Sequence, residues 1–173
     1  MALPEAEMRT MPRLILGAEV AWAPNLPDIP ELPKLCMGRS QNLLLELPFT
    51  PWNDQMFRQI YKLMSRTGIT PVIAHVERYL KCQKPEHLTE LMSLGVPVQV
   101  SAEPLLHPLR RSKAVKLLRE RKAQLIVSDC HDTVDRPPNL GPGAAVLRQK
   151  LGEGSLRAMS RRTDELAARA LDL

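Results

Sequence analysis

The 173-residue sequence predicts an α/β fold in which short parallel strands are joined by helices. Three observations carry this prediction. Short apolar or β-branched runs alternate with amphipathic stretches along the chain. The runs are nearly continuous in their hydrophobicity, as strands covered on both faces should be. Helix starts and stops, written as capping residues, prolines and glycines, fall between the runs. The length suits one domain, predicted to span residues 1–173 with residues 1–12 poorly ordered.

Taken in order, the predicted strands are LILGAEV (14–20), NLLLELP (42–48), TPVIAHV (70–76), VPVQVSA (96–102) and AQLIVSD (123–129). A Pro-rich connection from Pro24 to Pro33 follows the first and should pack beside a strand end. After the second strand Thr50 reads as an N-cap and Pro51 as the first turn. Met56, Ile60, Leu63 and Met64 then recur at helical spacing, and Gly68 ends the helix. Pro85 opens a second helix with Leu88, Leu91 and Met92 on one face and Gly95 as its stop. A basic third helix is expected from Ser112 to Lys122. Beyond Asp129, Ala144, Leu147 and Leu151 mark a helix stopped at Gly152, and Leu156, Met159, Leu166 and Ala170 mark a C-terminal one.

Composition excludes several classes of protein. Hydrophobic residues make up 44% and charged residues 25%, the balance of a soluble globular chain, and no apolar run is long enough to span a bilayer. The N-terminal MALPEAEMRTMPRLILGAEV carries acids where a signal peptide needs positive charge, so a cytoplasmic location is expected. Cys36, Cys82 and Cys130 are odd in number and widely spaced, which fits neither a disulfide framework nor a zinc knot. Seven basic residues between Arg110 and Lys122 contribute to the net charge of +5. With aromatics at only 3%, they read as a solvated helix face, and no nucleic-acid partner is expected.

Chemistry concentrates at the ends of the strands. Glu19, Glu46, His75 and the pair Asp129 and His131 stand at or near the C-terminal ends of four of the five runs. In parallel β/α folds those ends converge on one site. Singly, each is a solvated charge or a hydrogen-bonded core histidine; together, carboxylates and imidazoles suit manganese, zinc or iron better than calcium. On an extended chain Asp129 and His131 would share a face. Arg136 precedes Pro137 and Pro138, which stiffen the loop beyond them, so its guanidinium could grip phosphate oxygens. Arg78 is a second candidate for that work, and salt bridges to Glu77 or Asp135 are the alternative for both. His87 and His107 lack such placement and read as surface residues.

The segments GAEV (17–20), LLLELPF (43–49), GITPVIAHVERY (68–79), VQVSA (98–102) and SDCH with RPP (128–138) together resemble the bacterial manganese-dependent tyrosine-protein phosphatases of the CpsB/CapC type, members of the polymerase and histidinol phosphatase (PHP) family. The resemblance implies a partial PHP-type (β/α)7 barrel lacking its first strands. It also implies hydrolysis of phosphotyrosine on a bacterial kinase that controls capsule or exopolysaccharide synthesis. By the same resemblance Glu19 would bridge two metals, and Glu46 and His75 would complete the second site. Asp129 would serve the first metal, His131 the third, and Arg78 and Arg136 would hold phosphate. Alternatives within and beyond the fold are a catalytically inactive PHP fragment and a phosphatase of small phosphomonoesters.

One departure stands out. The family begins with an Asp-x-His-x-His motif, and no histidine precedes His75 in this sequence. The chain is therefore expected to be N-terminally truncated, with only the Glu19–Glu46–His75 site intact in ligand type. An open sheet that lacks barrel strands presents unpaired edges and apolar faces. The purified chain is expected to self-associate or melt without cooperativity, and a cooperative melt of a monomer in analytical ultracentrifugation would contradict this.

Overall fold

Every predicted apolar run supplies a strand, but a shorter one than its hydrophobic pattern, in the computed structural model of the chain, which describes residues 13–171. The expectation about residues 1–12 lies outside the described residues. The strands are β1 (Glu19–Ala21), β2 (Asn42–Glu46), β3 (Thr70–Ile73), β4 (Gln99–Ser101) and β5 (Leu125–Val127). Strands β1, β2 and β3 form one parallel sheet and β4 pairs parallel with β5. A single parallel bridge between Ile73 and Val98 joins the two, so spatial order follows chain order. Among the described residues β5 and β1 are not paired, and the strands make an open arc rather than a closed barrel.

The trimming has local causes. Strand β1 finds a partner backbone only where Glu19 to Ala21 lie opposite Leu44 to Glu46. Residues 14–18, predicted as strand, lie outside it, and Leu14 and Leu16 are 83% and 84% exposed. At the other end, β3 stops at Ile73 and β5 at Val127 because His75 and Asp129 take positive φ (28° and 54°), which no extended strand accommodates. The period of two is visible from Leu43 to Glu46 of β2: Leu43 and Leu45 are fully buried, whereas Leu44 and Glu46, which alternate with them, are half-buried.

Between the strands lie α1 (Asp54–Thr67), α2 (Pro85–Ser93), the short α3 (Glu103–Leu106), α4 (Pro108–Arg119) and the long α5 (Leu140–Leu171). Helix α1 buries Met56, Phe57, Ile60 and Leu63 and ends at Gly68 in the left-handed region. Its N-cap is Asn53, whose Oδ1 accepts from the Met56 N–H at 3.0 Å, not Thr50 as the sequence suggests. Residues before it are committed to seating Trp52. The Trp52 backbone N–H donates to Gln83 Oε1 at 2.8 Å, and its indole N–H donates to the Pro48 carbonyl at 3.0 Å. The basic helix likewise starts earlier than predicted, at Pro108, whose missing N–H costs nothing in a first turn.

The predicted break at Gly152 holds within α5, where that residue has φ 81° and ψ 164°. The first part of α5 lies so close over the sheet that a Cβ on Gly143 would stand 2.8 Å from the Ala102 Cβ. The Pro-rich connection carries two 3-10 turns, Leu26–Asp28 and Leu32–Leu35, which bury Leu26, Pro27 and Leu32. His87 is not a free surface residue: it is half-buried against the Phe57 ring, 6.2 Å between centroids.

A 3-10 turn, Val76–Lys81, ties β3 to β2 through Tyr79. The Tyr79 hydroxyl is fully buried and accepts the Leu47 N–H at 2.9 Å. Its ring packs on Phe49, Trp52 and His75 at centroid distances of 5.2, 5.3 and 5.7 Å. Replacing it by phenylalanine keeps the ring but strands a buried donor, at a cost of about 1–3 kcal/mol. Burial also pushes the Tyr79 phenol above its usual range. The unfolded chain then loses this proton first, so stability falls as pH rises beyond about 10. Tyr79→Phe should therefore lower the melting temperature at neutral pH and soften the alkaline loss of stability; a melt unchanged at both would remove Tyr79 as the anchor.

Candidate active site

The side chains meet across the parallel sheet. Glu19, expected at the C-terminal end of its strand, instead opens β1, because that strand is paired only from Glu19 to Ala21; Glu46 closes β2, and His75 stands two residues past β3. His75 Nε2 lies 3.0 Å from Glu19 Oε1 and 3.2 Å from Glu46 Oε1. One ligand atom from each of the three falls within 4.8 Å of the others, and this constellation could hold a metal ion. The imidazole is 3% exposed, while the two carboxylates are about one-third exposed. Phe49, from the LELPF segment, stacks near the ring with 14° between the planes.

The donor set fits a transition metal: two carboxylates turned toward each other, with an imidazole nitrogen between them and an open side toward solvent. Of the three non-glycine residues with positive φ among the described residues, His75 and Asp129 are two. Backbone held in this region costs energy and persists where a side chain must be aimed. The aim here is toward the same cavity, a space of about 260 Å³ lined by Glu19, Glu46, His75, Arg78, Asp129, His131 and Arg136. The seven residues singled out in the sequence are thus brought together.

Their pairings differ from the expected ones. Asp129 and His131 do not share a face of an extended chain, because the strand ends at Val127 and Asp129 turns the backbone. Instead His131 Nδ1 lies 3.0 Å from the Asp129 carbonyl and its Nε2 lies 3.0 Å from Arg136 Nη1. A proton on Nδ1 satisfies the first contact and leaves the Nε2 lone pair for the guanidinium. Neither arginine pairs with Glu77 or Asp135: Arg78 Nη2 donates to Asp129 Oδ2 at 2.5 Å, and Arg136 Nη2 donates to the same oxygen. Two guanidiniums therefore converge on one carboxylate, as they would on an anion.

Asp132 is the residue that sequence reasoning passed over. Its Oδ1 accepts the N–H groups of Val134, Asp135 and Arg136 at 2.7, 2.7 and 3.0 Å, and these bonds hold its carboxyl below the usual carboxylate range. They shape the loop that presents Arg136, with the His131 N–H donating to the Arg136 carbonyl at 3.0 Å to close it. An aspartate in a polar loop, whose side chain can bond backbone N–H groups two and three residues on, is a turn signal that could have found it. Glu77 was also absorbed by the fold: its Oε2 accepts the Ser101 N–H at 3.3 Å, and burial pushes its carboxyl up.

Fold and site together define an α/β protein in which neighbouring parallel strands bring a metal-type carboxylate–histidine constellation beside paired arginines. The chain belongs to the capsular polysaccharide synthesis family CpsB/CapC, whose model matches residues 4–166. It is 28% identical over 156 residues to the tyrosine-protein phosphatase CpsB of Streptococcus agalactiae, a match covering 82% of this chain and 62% of that protein. With the CpsB of Streptococcus pneumoniae it shares 29% identity over 108 residues, 56% of this chain and 44% of that one. The fold is similar to that in the crystal structures of YwqE from Bacillus subtilis and CpsB from Streptococcus pneumoniae, described as metal-dependent tyrosine phosphatases. The TM-score is 0.78 at 20% identity, covering 88% of this chain and 64% of the solved one. The matches thus cover from 44% to 64% of the length of these relatives.

If the triad takes a metal, removing one carboxylate should show directly. Glu46→Gln is expected to lower the affinity for Mn²⁺, read by isothermal titration, by at least about tenfold with an unchanged circular dichroism spectrum. Equal affinity in the two proteins would rule the triad out as the binding site.

Proposed function

We propose that this chain carries the hydrolytic site of a manganese-dependent protein-tyrosine phosphatase whose substrate is a bacterial tyrosine kinase of capsule or exopolysaccharide synthesis. The carrying observation is the single cavity in which the Glu19–Glu46–His75 constellation faces Arg78 and Arg136. The CpsB relatives and the CpsB/CapC family support the choice of phosphotyrosine. A cytoplasmic location follows from such a substrate, and no described helix is long and apolar enough to cross a membrane. The partial (β/α)7 barrel reading fits the open arc of five parallel strands, whose spatial order is that of a barrel segment.

Glu19, Glu46 and His75 would hold a divalent metal, whose chemistry there would be positive charge beside a phosphoryl oxygen and a lowered pKa for a water. Asp129 and His131 would extend the ligand set on the opposite wall. The chain's own contribution is positioning. Arg78 and Arg136 come from different elements, a 3-10 turn and the loop after β5, and their guanidiniums already meet at one oxygen. A phosphate dianion offers the same fork-on-oxygen geometry with more charge, so it competes with Asp129 for both. As charge grows on the equatorial oxygens during transfer, guanidiniums fixed in place stabilise it without reorganising. The Asp132 turn holds Arg136 ready for this.

Metal binding without turnover is a second reading, favoured by one observation: Asp129 is neutralised by two arginines rather than turned toward the triad. Manganese-dependent phosphate release from a phosphotyrosine peptide separates the two. Activity is expected to need Mn²⁺ and to vanish in Glu46→Ala and His75→Ala, with Arg136→Ala losing about 10²-fold in kcat/KM. Release no greater than in the two alanine variants would sink the catalytic reading. Histidinol phosphate and other small phosphomonoesters, run in parallel, decide whether the substrate is a protein.

A further inference from the structure

A larger cavity, about 520 Å³, opens beside the metal-type one, and Arg78, Asp129 and Arg136 line both. It lies between the Val76–Lys81 turn, helices α3 and α4, and the loop after β5. Two features distinguish it from a packing defect. Its wall includes the apolar side chains of Leu80, Pro104 and Leu109, and Leu109 is left 83% exposed. Lys81 and Lys113 border the cavity without a carboxylate partner among the described residues: of the carboxylates that also line it, Glu77 accepts the Ser101 N–H, Glu103 pairs with Arg110, Asp129 takes both Arg78 and Arg136, and Asp135 pairs with neither lysine.

The basic helix α4 is thus divided in its use. Lys116 is paired to Glu120 at the end of the helix, whereas Lys113 is left to the cavity. Unpaired lysines over an apolar wall suit a side chain with a short apolar stem and an anionic head. A concave site with few aromatics does not suit a nucleic acid.

We propose that this cavity is a specificity subsite for an acidic residue flanking the phosphotyrosine, its carboxylate held by Lys81 and Lys113. The proposal rests on the phosphotyrosine reading of the adjoining site. Arg78 and Arg136 line both cavities, which are therefore adjacent, so a peptide whose phosphate sits on the arginines can direct its neighbouring residue toward the second.

Two fluorescein-labelled phosphotyrosine peptides, differing only in glutamate or alanine on either side of the phosphotyrosine, test it by fluorescence anisotropy with Mn²⁺ present. The glutamate peptide is expected to bind about fivefold tighter. The combined change Lys81→Glu and Lys113→Glu should erase that preference and leave hydrolysis of free phosphotyrosine unaltered. Equal affinities, binding of neither peptide, or a charge reversal that weakens both peptides alike overturns the subsite. Charge-dependent binding without hydrolysis of free phosphotyrosine would uphold the subsite while defeating the catalytic reading, so the two failures are distinguishable.

Discussion

The imidazole of His75 is the constraint on which the site depends. It is buried under Phe49 and Tyr79, held at a positive φ that ends β3, and faced by two carboxylates from neighbouring strands at about hydrogen-bond distance. Each condition enforces the others. Without the rings the side chain would rotate to solvent, and without the backbone turn it would follow the pleat of the strand. Without Glu19 and Glu46 a buried nitrogen would face nothing polar. The Tyr79 hydroxyl then ties this cluster to the backbone at the end of β2, so that the strand carrying Glu46 and the turn carrying Arg78 cannot move apart independently.

Opposite this rigid wall stands a second one built from a loop. The chain after β5 has no strand pairing to hold it, and its order comes from the Asp132 carboxylate and the closing bond between His131 and Arg136. Asp129 joins the walls by accepting from Arg78 on one and Arg136 on the other. These pairs are partly exposed and each contributes little to stability. Their effect is on geometry, because they hold two guanidiniums at the spacing of a single anion.

Much of this was legible in the chain. An apolar run that carries glutamate or histidine near its end is a local pattern, and it marks Glu19, Glu46, His75, Asp129 and His131 because parallel topology makes successive strands neighbours. Arg136 is marked by the two prolines that stiffen what precedes them. Other features depend on distant partners. A Thr-Pro pair looks like a helix start, but seating Trp52 against Pro48 and Gln83 places the cap at Asn53. Sequence neighbours offer the arginines Glu77 and Asp135, whereas the partner they share, Asp129, is 51 residues from Arg78. Nothing local to His87 announces Phe57.

By itself the sequence determined the α/β class, the order of the strands, the helix stops at Gly68 and Gly152, and the side chains available at the strand ends. These follow from periodicity and from backbone preferences that act within a few residues. Only the tertiary structure decided how far each strand extends, which oxygen the arginines share, and that a second cavity with unpaired lysines adjoins the first. Those depend on where a partner backbone or a counter-charge is offered in space. Pairing and charge neutralisation are settled by proximity across the fold, and no local pattern along the chain encodes it.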